Sequence, residues 1–178
     1  IPRADFISTH VGHARKGRFL SGGCIRLPME TSEAITRVDV ESGDAFRIGW
    51  LRKHGLQFNF KCTKLIKNSM FARFMNAVTP TKATWNGGNA SGWREDLLAV
   101  NGFNERMKYG GEDREFGERL ENKGLKGVQL RYSAIILHLD HGRPYKNKEA
   151  IEWNKRIRKE IRRNKIIVTP YGIRQQEQ

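Results

Sequence analysis

The sequence predicts an α/β domain, in which helices and strands alternate along the chain. Residues 112–123 have the apolar spacing of a helix, with Phe116 and Leu120 on one face. After them, apolar residues alternate at positions 128, 130 and 132 into the run 134–137, as in a strand that is buried at its far end. A length of 178 residues and a hydrophobic content of 38% suit one soluble domain with its own core.

The remaining elements follow from apolar spacing and from turn residues. In chain order we predict a helix at 2–14, extended chain at 19–27, a polar stretch at 31–44 and a half-buried strand at 56–60. A helix at 64–78, a helix at 93–100 that Ser91 caps, and a basic helix at 147–165 follow. The helix at 64–78 carries a stripe of Met and Phe, which usually packs in a core. A lid or a ligand-contacting surface is the alternative for that stripe.

Composition and motifs exclude several classes of protein. Cys24 and Cys62 allow at most one disulfide and cannot complete a four-ligand zinc site. The longest apolar run, at 134–137, is far shorter than the ~18–20 residues of a membrane-spanning helix. Nothing near residue 1 resembles a secretion signal. The motifs of P-loop NTPases, nucleophile-elbow serine hydrolases, dinucleotide-binding enzymes and zinc peptidases are missing from the sequence.

Positive charge is concentrated toward the end of the chain. The net charge is +14, and residues 131–178 hold 12 Lys and Arg against 5 Asp and Glu. Within them, 147–165 predicts an amphipathic helix. Its apolar residues recur every three or four positions: Ala150, Trp153, Ile157 and Ile161. Such a helix contacts an anionic membrane surface or a charged polymer, or it docks on the domain by its apolar side and leaves a solvated basic face. We place a boundary between residues 1–145 and a basic tail, 146–178.

Two adjacent carboxylates follow two glycines in the segment Tyr109-Gly110-Gly111-Glu112-Asp113, at the predicted start of a helix. Backbone N–H groups and the helix dipole favour ionised carboxylates there, and the glycines allow a ligand to approach the backbone closely. A carboxylate held in this way can accept a proton from a hydroxyl group. The alternative is that both acids only stabilise the first turn of the helix.

A second polar cluster, His138-Leu139-Asp140-His141, follows the predicted buried strand, where α/β sheets often present ligands. In a straight strand His138 and Asp140 share a face and His141 points away, so a metal ion held by both histidines requires a bend. A divalent ion would also need ligands from elsewhere. Arg143, two residues on, could pair with a phosphate. The alternative is one packed histidine and one solvated histidine.

Several segments within residues 85–144 occur in an order that resembles the family 2 glycosyltransferases, in particular the C-terminal half shared with galactosyltransferases and chondroitin polymerases. They are Asn86-Gly87-Gly88-Asn89-Ala90, Trp93-Arg94-Glu95-Asp96-Leu97, Val100-Asn101-Gly102-Phe103-Asn104-Glu105, Gly110-Gly111-Glu112-Asp113 and His138-Leu139-Asp140-His141. The opening Ile1-Pro2-Arg3-Ala4-Asp5-Phe6 is similar to the segment that follows the Asp-x-Asp motif of the family.

This resemblance implies the acceptor-side, C-terminal part of a GT-A, Rossmann-like fold. It also implies inverting transfer of a sugar from a nucleotide diphosphate donor, a UDP-sugar, to a hydroxyl of a saccharide or glycolipid. Such transfer serves polysaccharide or glycolipid synthesis, and we expect a cytoplasmic protein at the inner face of the membrane. The implied roles are Asp113 as base, Tyr109, Gly110, Gly111 and Glu112 at the acceptor, Gly87, Gly88, Asn89 and Arg143 at the donor, and His141 with His138 on Mn²⁺ or Mg²⁺.

The family places its Asp-x-Asp motif and its nucleotide-binding strands before the position that corresponds to residue 1. We therefore expect the chain to be part of a longer enzyme and to be inactive alone. Arg114 stands where many relatives have an acidic or apolar residue, so the acceptor is not implied. The alternative function is a non-enzymatic module that binds polyanions or a membrane surface. Nucleic acid is disfavoured because aromatic residues are not interleaved with Lys and Arg.

Overall fold

A computed structural model describes residues 1–142 and 144–174 and has the mixed helix and strand content that the sequence predicts. The helices are α1 (Phe6–His13), α2 (Met29–Ala34), α3 (Arg37–Ser42), α4 (Ile48–Lys53), α5 (Ser69–Val78), α6 (Arg94–Ala99), α7 (Glu112–Asn122) and α8 (Lys148–Arg163). The strands are β1 (Arg18–Arg26), β2 (Ala90–Ser91) and β3 (Lys126–His138). Short 3₁₀ turns occupy Asp44–Phe46 and Phe60–Leu65. No helix within the described ranges has the length and apolar character needed to span a bilayer.

The three strands form one sheet in the order β2-β1-β3, and β2 is antiparallel to β1. The amide of Lys126 donates to the Gly17 carbonyl (3.1 Å) where β1 and β3 begin, and the amide of Leu27 donates to the His138 carbonyl (3.0 Å) where they end. These two bonds show that β1 and β3 run in the same direction. The sheet is therefore mixed, which confirms the α/β character.

The chain forms two compact units. The first unit comprises Ile1–His13, Gly22–Thr81 and Gln129–Gly142. The second unit comprises Ala14–Ser21, Lys82–Val128 and Arg143–Gln178. The predicted domain boundary near residue 145 stays a prediction.

The core of the first unit joins the far ends of β1 and β3 to the short helices between them. Its buried members are Ile25, Leu27, Ala45, Phe46, Leu51, Leu56, Cys62, Leu65, Ile135 and Leu137. The first residues of the chain add to the sheet beside β3, because Pro2 forms an antiparallel bridge with Ile136 and the amide of Arg3 donates to Ile135 (3.0 Å). Both cysteines are free thiols.

One predicted element in the first unit is wrong, and another is a helix that begins later than predicted. The segment 56–60 is not a half-buried strand, since Phe58 and Phe60 are exposed and Phe60 begins a 3₁₀ turn. Alternation over five residues is too short to separate a strand from an irregular segment. The predicted helix 64–78 begins only at Ser69, where the Asn68 side chain accepts from the amide of Phe71. Its Met and Phe stripe is not core throughout, because part of it is exposed to solvent.

Lys64 is a cation buried in the first unit, 7% exposed, and its Nζ donates to the Cys24 carbonyl at 3.2 Å. Burial, and secondarily the nearby Arg131 guanidinium, lower the pKa of Lys64 below 10.5. The unfolded chain therefore binds more protons than the folded chain between the lowered pKa and 10.5, so stability rises with pH across this window.

We predict that the free energy of unfolding of the unchanged chain rises relative to that of Lys64→Met as the pH approaches about 10. Urea unfolding of both proteins at several pH values measures this difference. Parallel pH profiles for the two proteins would contradict the prediction.

The second unit has two apolar clusters. One joins α7 to its neighbours through Phe19, Trp85, Val100, Phe116, Leu120 and Leu125, and the other consists of Met107, Ile157 and Ile161. The helix α8 confirms the predicted basic helix. Of its predicted apolar stripe, Ile157 and Ile161 are buried within the unit, whereas Trp153 is 52% exposed. The prediction that Ser91 caps α6 is wrong, because Ser91 lies in β2. The residue before α6 is Trp93, whose side chain makes no capping hydrogen bond.

A tail segment, residues 169–174, returns from α8 to the loop that follows α6. The Asn101 side chain donates to the carbonyls of Thr169 (2.7 Å) and Arg174 (3.0 Å) and accepts from the amide of Arg174 (2.8 Å). The Asn101 carbonyl accepts from the amide of Ile173 (3.1 Å). Asn101 has a positive φ of 64°, which asparagine tolerates better than most residues. The tail segment is thereby part of the second unit.

Candidate active site

The acidic turn lies in the second unit at the start of α7. Gly110 and Gly111 have φ values of 117° and 100°, a conformation that side chains rarely adopt. A Cβ atom on Gly110 would lie 2.8 Å from Cγ1 of Ile151 in α8. The two glycines therefore satisfy both a backbone and a packing requirement, and they place Glu112 and Asp113 in the first turn of α7.

Both carboxylates of this turn accept hydrogen bonds from backbone amides. Asp113 Oδ1 accepts from the amide of Arg114 (2.7 Å), and Oδ2 accepts a longer bond from the amide of Gly87 (3.3 Å). Glu112 Oε2 accepts from the amide of Gly110 (2.7 Å). A carboxylate has about four lone-pair positions, so these bonds orient Asp113 and leave it capacity to accept a further proton donor. The arrangement suits a general base.

The glycine-rich turn that precedes β2 contacts the acidic turn. Trp85 packs edge-on against Phe116 of α7, with ring centroids 4.8 Å apart, and so holds the start of this turn on the helix. Two residues on, the backbone amide of Gly87 reaches Asp113, and a Cβ at this position would make only an ordinary contact with Asp113 Cβ, at 3.4 Å. Gly88 is exposed, whereas Asn89 is buried and its amide donates to the Asn86 carbonyl (2.8 Å).

Tyr109, which directly precedes the acidic turn in sequence, is one of a pair of aromatic rings. Tyr109 and Tyr145 meet edge to face, with ring centroids 4.8 Å apart, and both rings are partly exposed. Exposed aromatic rings beside a carboxylate offer apolar faces and hydroxyl groups to a ligand. The structure thus brings together Gly87, Asp113, Glu112 and the two glycines before them, with Tyr109 adjoining.

An ion pair that the sequence did not reveal lies within α7. Glu115 and Arg119 are both fully buried, with Arg119 Nε 2.9 Å from Glu115 Oε1. Arg119 also donates to the carbonyls of Val100 and Gly102, the latter at 2.6 Å. It thereby ties the loop after α6 to the helix that carries Asp113. In sequence, Glu and Arg four residues apart resemble an ordinary surface pair on a helix, so no local signal marks this one.

Gly117 was also missed as a site residue. Its position in the middle of α7 lets the Trp85 backbone approach, because a Cβ on Gly117 would lie 3.0 Å from the Trp85 amide nitrogen. A single glycine inside a helical pattern was the available signal, since glycine costs helix stability and is retained where packing requires it.

The histidine cluster lies in the first unit. β3 ends at His138, and the chain then bends so that the rings of His138 and His141 come within 5.5 Å between centroids. The Ser32 hydroxyl accepts from the amide of Asp140 (2.8 Å), which holds the bend. His141 Nδ1 lies 3.0 Å from the Gly142 carbonyl. Because a carbonyl only accepts, Nδ1 carries the proton and the lone pair of the neutral ring is on Nε2.

Two imidazoles bound to one metal ion at about 2 Å have centroids roughly 5 Å apart, and the rings of His138 and His141 fit this spacing. Within residues 1–142 and 144–174, however, no group of three or more His, Cys, Asp or Glu side chains could hold an ion. A metal ion held by the two histidines would therefore need further ligands from other residues. Arg143, the predicted phosphate partner, lies outside the described residues.

Residues 70–142 match a family model described as the N-terminal domain of galactosyltransferase. The match covers less than half of the chain and includes the glycine-rich turn, the acidic turn and both histidines. A search of curated proteins found no match to this chain. The matched segment is similar to a galactosyltransferase domain, and this similarity suggests sugar transfer in general.

Proposed function

We propose that this chain is the acceptor-side part of a GT-A, family 2 glycosyltransferase, similar to the galactosyltransferase and chondroitin-polymerase type. It transfers a hexose from a UDP-sugar to a saccharide or glycolipid hydroxyl, with inversion at the anomeric carbon, in cytoplasmic polysaccharide or glycolipid synthesis. The observation that carries the proposal is the position of Asp113, oriented by the amides of Gly87 and Arg114 at the start of α7. The galactosyltransferase match over residues 70–142 supports it.

In the proposed reaction, Asp113 takes the proton of the acceptor hydroxyl as its oxygen attacks the anomeric carbon of the donor sugar. The new glycosidic bond forms while the bond from that carbon to the diphosphate oxygen breaks. The proton stays on Asp113, and the electron pair leaves with the nucleoside diphosphate. Tyr109, Gly110, Gly111 and Glu112 border the acceptor, where the Glu112 carboxylate and the Tyr109 ring can bind a second sugar hydroxyl and a sugar face.

The donor side of the proposal rests on fewer contacts. Gly87, Gly88 and Asn89 form the turn along which the donor sugar would lie, and Arg143 would pair with a phosphate. His141 and His138 would hold Mn²⁺ or Mg²⁺ together with further ligands. When bound, such an ion neutralises the charge that develops on the departing diphosphate.

The test is transfer of labelled sugar from a panel of UDP-sugars, with Mn²⁺, by the protein that contains this chain. We expect Asp113→Asn to lower turnover by about 10²–10⁴-fold, because an amide cannot take the proton. The matched control is Asp96→Asn, which changes the other aspartate of the second unit; Asp96 pairs with Lys123. We expect this control to retain turnover.

Circular dichroism of both variants would show whether the fold is retained. Full turnover by Asp113→Asn would contradict the assignment of the base. Failure of the unchanged protein to bind or transfer any sugar of the panel would contradict the proposed reaction itself.

A further inference from the structure

The first unit exposes several large apolar side chains on α5 and in the segment that precedes it. Six large apolar side chains from residues 58–78, each between 40% and 80% exposed, form what we call the α5 patch: Phe58, Phe60, Ile66, Met70, Phe74 and Val78. Single exposed apolar residues are ordinary, but contiguous apolar surface on a soluble domain marks a site of interaction.

The orientation of α5 is fixed by contacts on its other side. Phe71 meets Tyr132 edge to face, with centroids 6.0 Å apart. Asn76 donates to the Ser133 hydroxyl (2.8 Å) and accepts from the amide of Tyr132 (2.8 Å), so the helix is hydrogen-bonded to β3. Met70, Phe74 and Val78, four residues apart, therefore lie along the opposite, outer side.

The α5 patch lies in a part of the chain that has no negative side chains. From residue 45 to residue 94 the sequence contains nine Lys and Arg and neither Asp nor Glu. Lys61, Lys67 and Arg73 are exposed within this stretch. None of the three takes part in the ion pairs found among the described residues. The charged side chains that segment 45–94 contributes around these apolar residues are therefore all cationic, and the neighbouring Asp5, which lines the same cavity as Lys67 and Arg73, is paired with Arg3.

We propose that the α5 patch binds the surface of an anionic lipid bilayer. Its exposed apolar side chains would enter the boundary between headgroups and acyl chains, while Lys61, Lys67 and Arg73 would pair with lipid phosphates. A second copy of this chain fits less well, since a two-fold contact would bring the cationic rim against itself. A soluble polyanion would leave the apolar side chains in water.

The basic helix α8 offers a different surface. Its exposed face carries Lys155, Arg156 and Lys159, but its apolar residues Ile157 and Ile161 are buried. The helix α8 can therefore attract anionic lipid mainly by charge. Its one exposed large apolar side chain among the described residues is Trp153. Membrane contact through residues 147–165 stays a prediction, and the α5 patch offers more exposed apolar side chains beside its cations than α8 does.

The test is flotation of the protein with vesicles of phosphatidylcholine containing about one quarter phosphatidylglycerol, against phosphatidylcholine alone. We expect binding to the anionic vesicles and a weakening of roughly ten-fold or more for Met70→Glu and for Phe74→Glu. Glu at position 70 lies in the first turn of α5, where an acidic side chain stabilises a helix, so the fold should persist. Unchanged circular dichroism would check this.

Val38→Glu is the matched control, because Val38 is 72% exposed on α3 of the same unit, close to the 80% of Met70, and the change in charge is identical. We expect the control to bind the anionic vesicles as the unchanged protein does. The proposal is independent of the proposed sugar transfer, and flotation requires no donor or acceptor.

Four results would overturn the proposal. The first is that the unchanged protein does not bind the anionic vesicles, and the second is that Val38→Glu and Met70→Glu lose binding equally. The third is that the double variant Lys155→Glu with Lys159→Glu loses binding while Met70→Glu binds normally. The fourth is a dimer in solution that Met70→Glu dissociates. The third result would assign lipid binding to α8, and the fourth would identify the α5 patch as a contact between copies.

Discussion

Replacement of Arg119 by methionine is expected to lower the free energy of unfolding by about 3–5 kcal/mol, the cost of leaving one member of a buried ion pair without its partner. The Glu115 carboxylate would remain in a site from which water is excluded. The carbonyls of Val100 and Gly102 would lose their donors as well. Urea unfolding monitored by circular dichroism measures the loss.

Arg37→Met is the control for this variant. Arg37 also pairs with a glutamate four residues away, Glu41, but both side chains are largely exposed. Exposed pairs of this kind contribute about 0.2–1 kcal/mol, so the control should lose no more than that. Equal losses for the two variants would show that burial of the Glu115–Arg119 pair has no energetic consequence. Replacing both partners, as in Glu115→Leu with Arg119→Met, should recover part of the loss because no charge then stays buried alone.

The second large effect is expected for Gly117→Ala. Alanine would favour the helix by about 1 kcal/mol. Its Cβ, however, would lie 2.7 Å from Trp85 Cβ and 3.0 Å from the Trp85 nitrogen, and a backbone cannot rotate out of the way as the end of a side chain can. Overpacking costs about 1–3 kcal/mol; because the obstacle is backbone we expect the upper half of that range, which leaves a net destabilisation of about 1–2 kcal/mol after the helix gain.

Gly117→Ala should also reduce sugar transfer. Trp85 lies two residues before Gly87, whose amide is 3.3 Å from Asp113 Oδ2, so movement of Trp85 would disturb the orientation of the carboxylate. Thermal unfolding and the transfer assay measure the two effects. The control is Gly12→Ala in α1, where a Cβ would meet nothing within 4 Å. We expect this control to be neutral or slightly stabilised, and the same outcome for Gly117→Ala would contradict the packing argument.

The parts of the site that depend on neighbouring residues were predictable from the sequence. The start of α7 after two glycines, and the end of a buried strand at His138, are encoded by side chains within a few positions of each other. Such local signals gave the positions of the acidic turn and of the two histidines in the sequence. The bend that brings the rings of His138 and His141 together is held by Ser32, 108 residues from Asp140, and was not predictable from neighbouring residues.

The parts that depend on distant residues were not predictable. Apolar periodicity gave a helix near 64–78, yet it could not show that Met70 and Phe74 lie outside the core, because that depends on contacts of α5 with β3. Glu115 and Arg119 have the spacing of a solvated pair, and their burial follows only from packing of α7 against the loop after α6. Burial of a charged pair is decided by tertiary structure and not by spacing.

The loop after α6 is held from two sides by groups that are remote from it in sequence. Arg119 binds its carbonyls from 19 and 17 residues away, and the tail segment binds Asn101 from 68 and 73 residues away. The contacts with the tail segment require a long loop to close, which costs conformational entropy. We therefore expect the loop after α6 to reach its final shape only when the tail segment has docked.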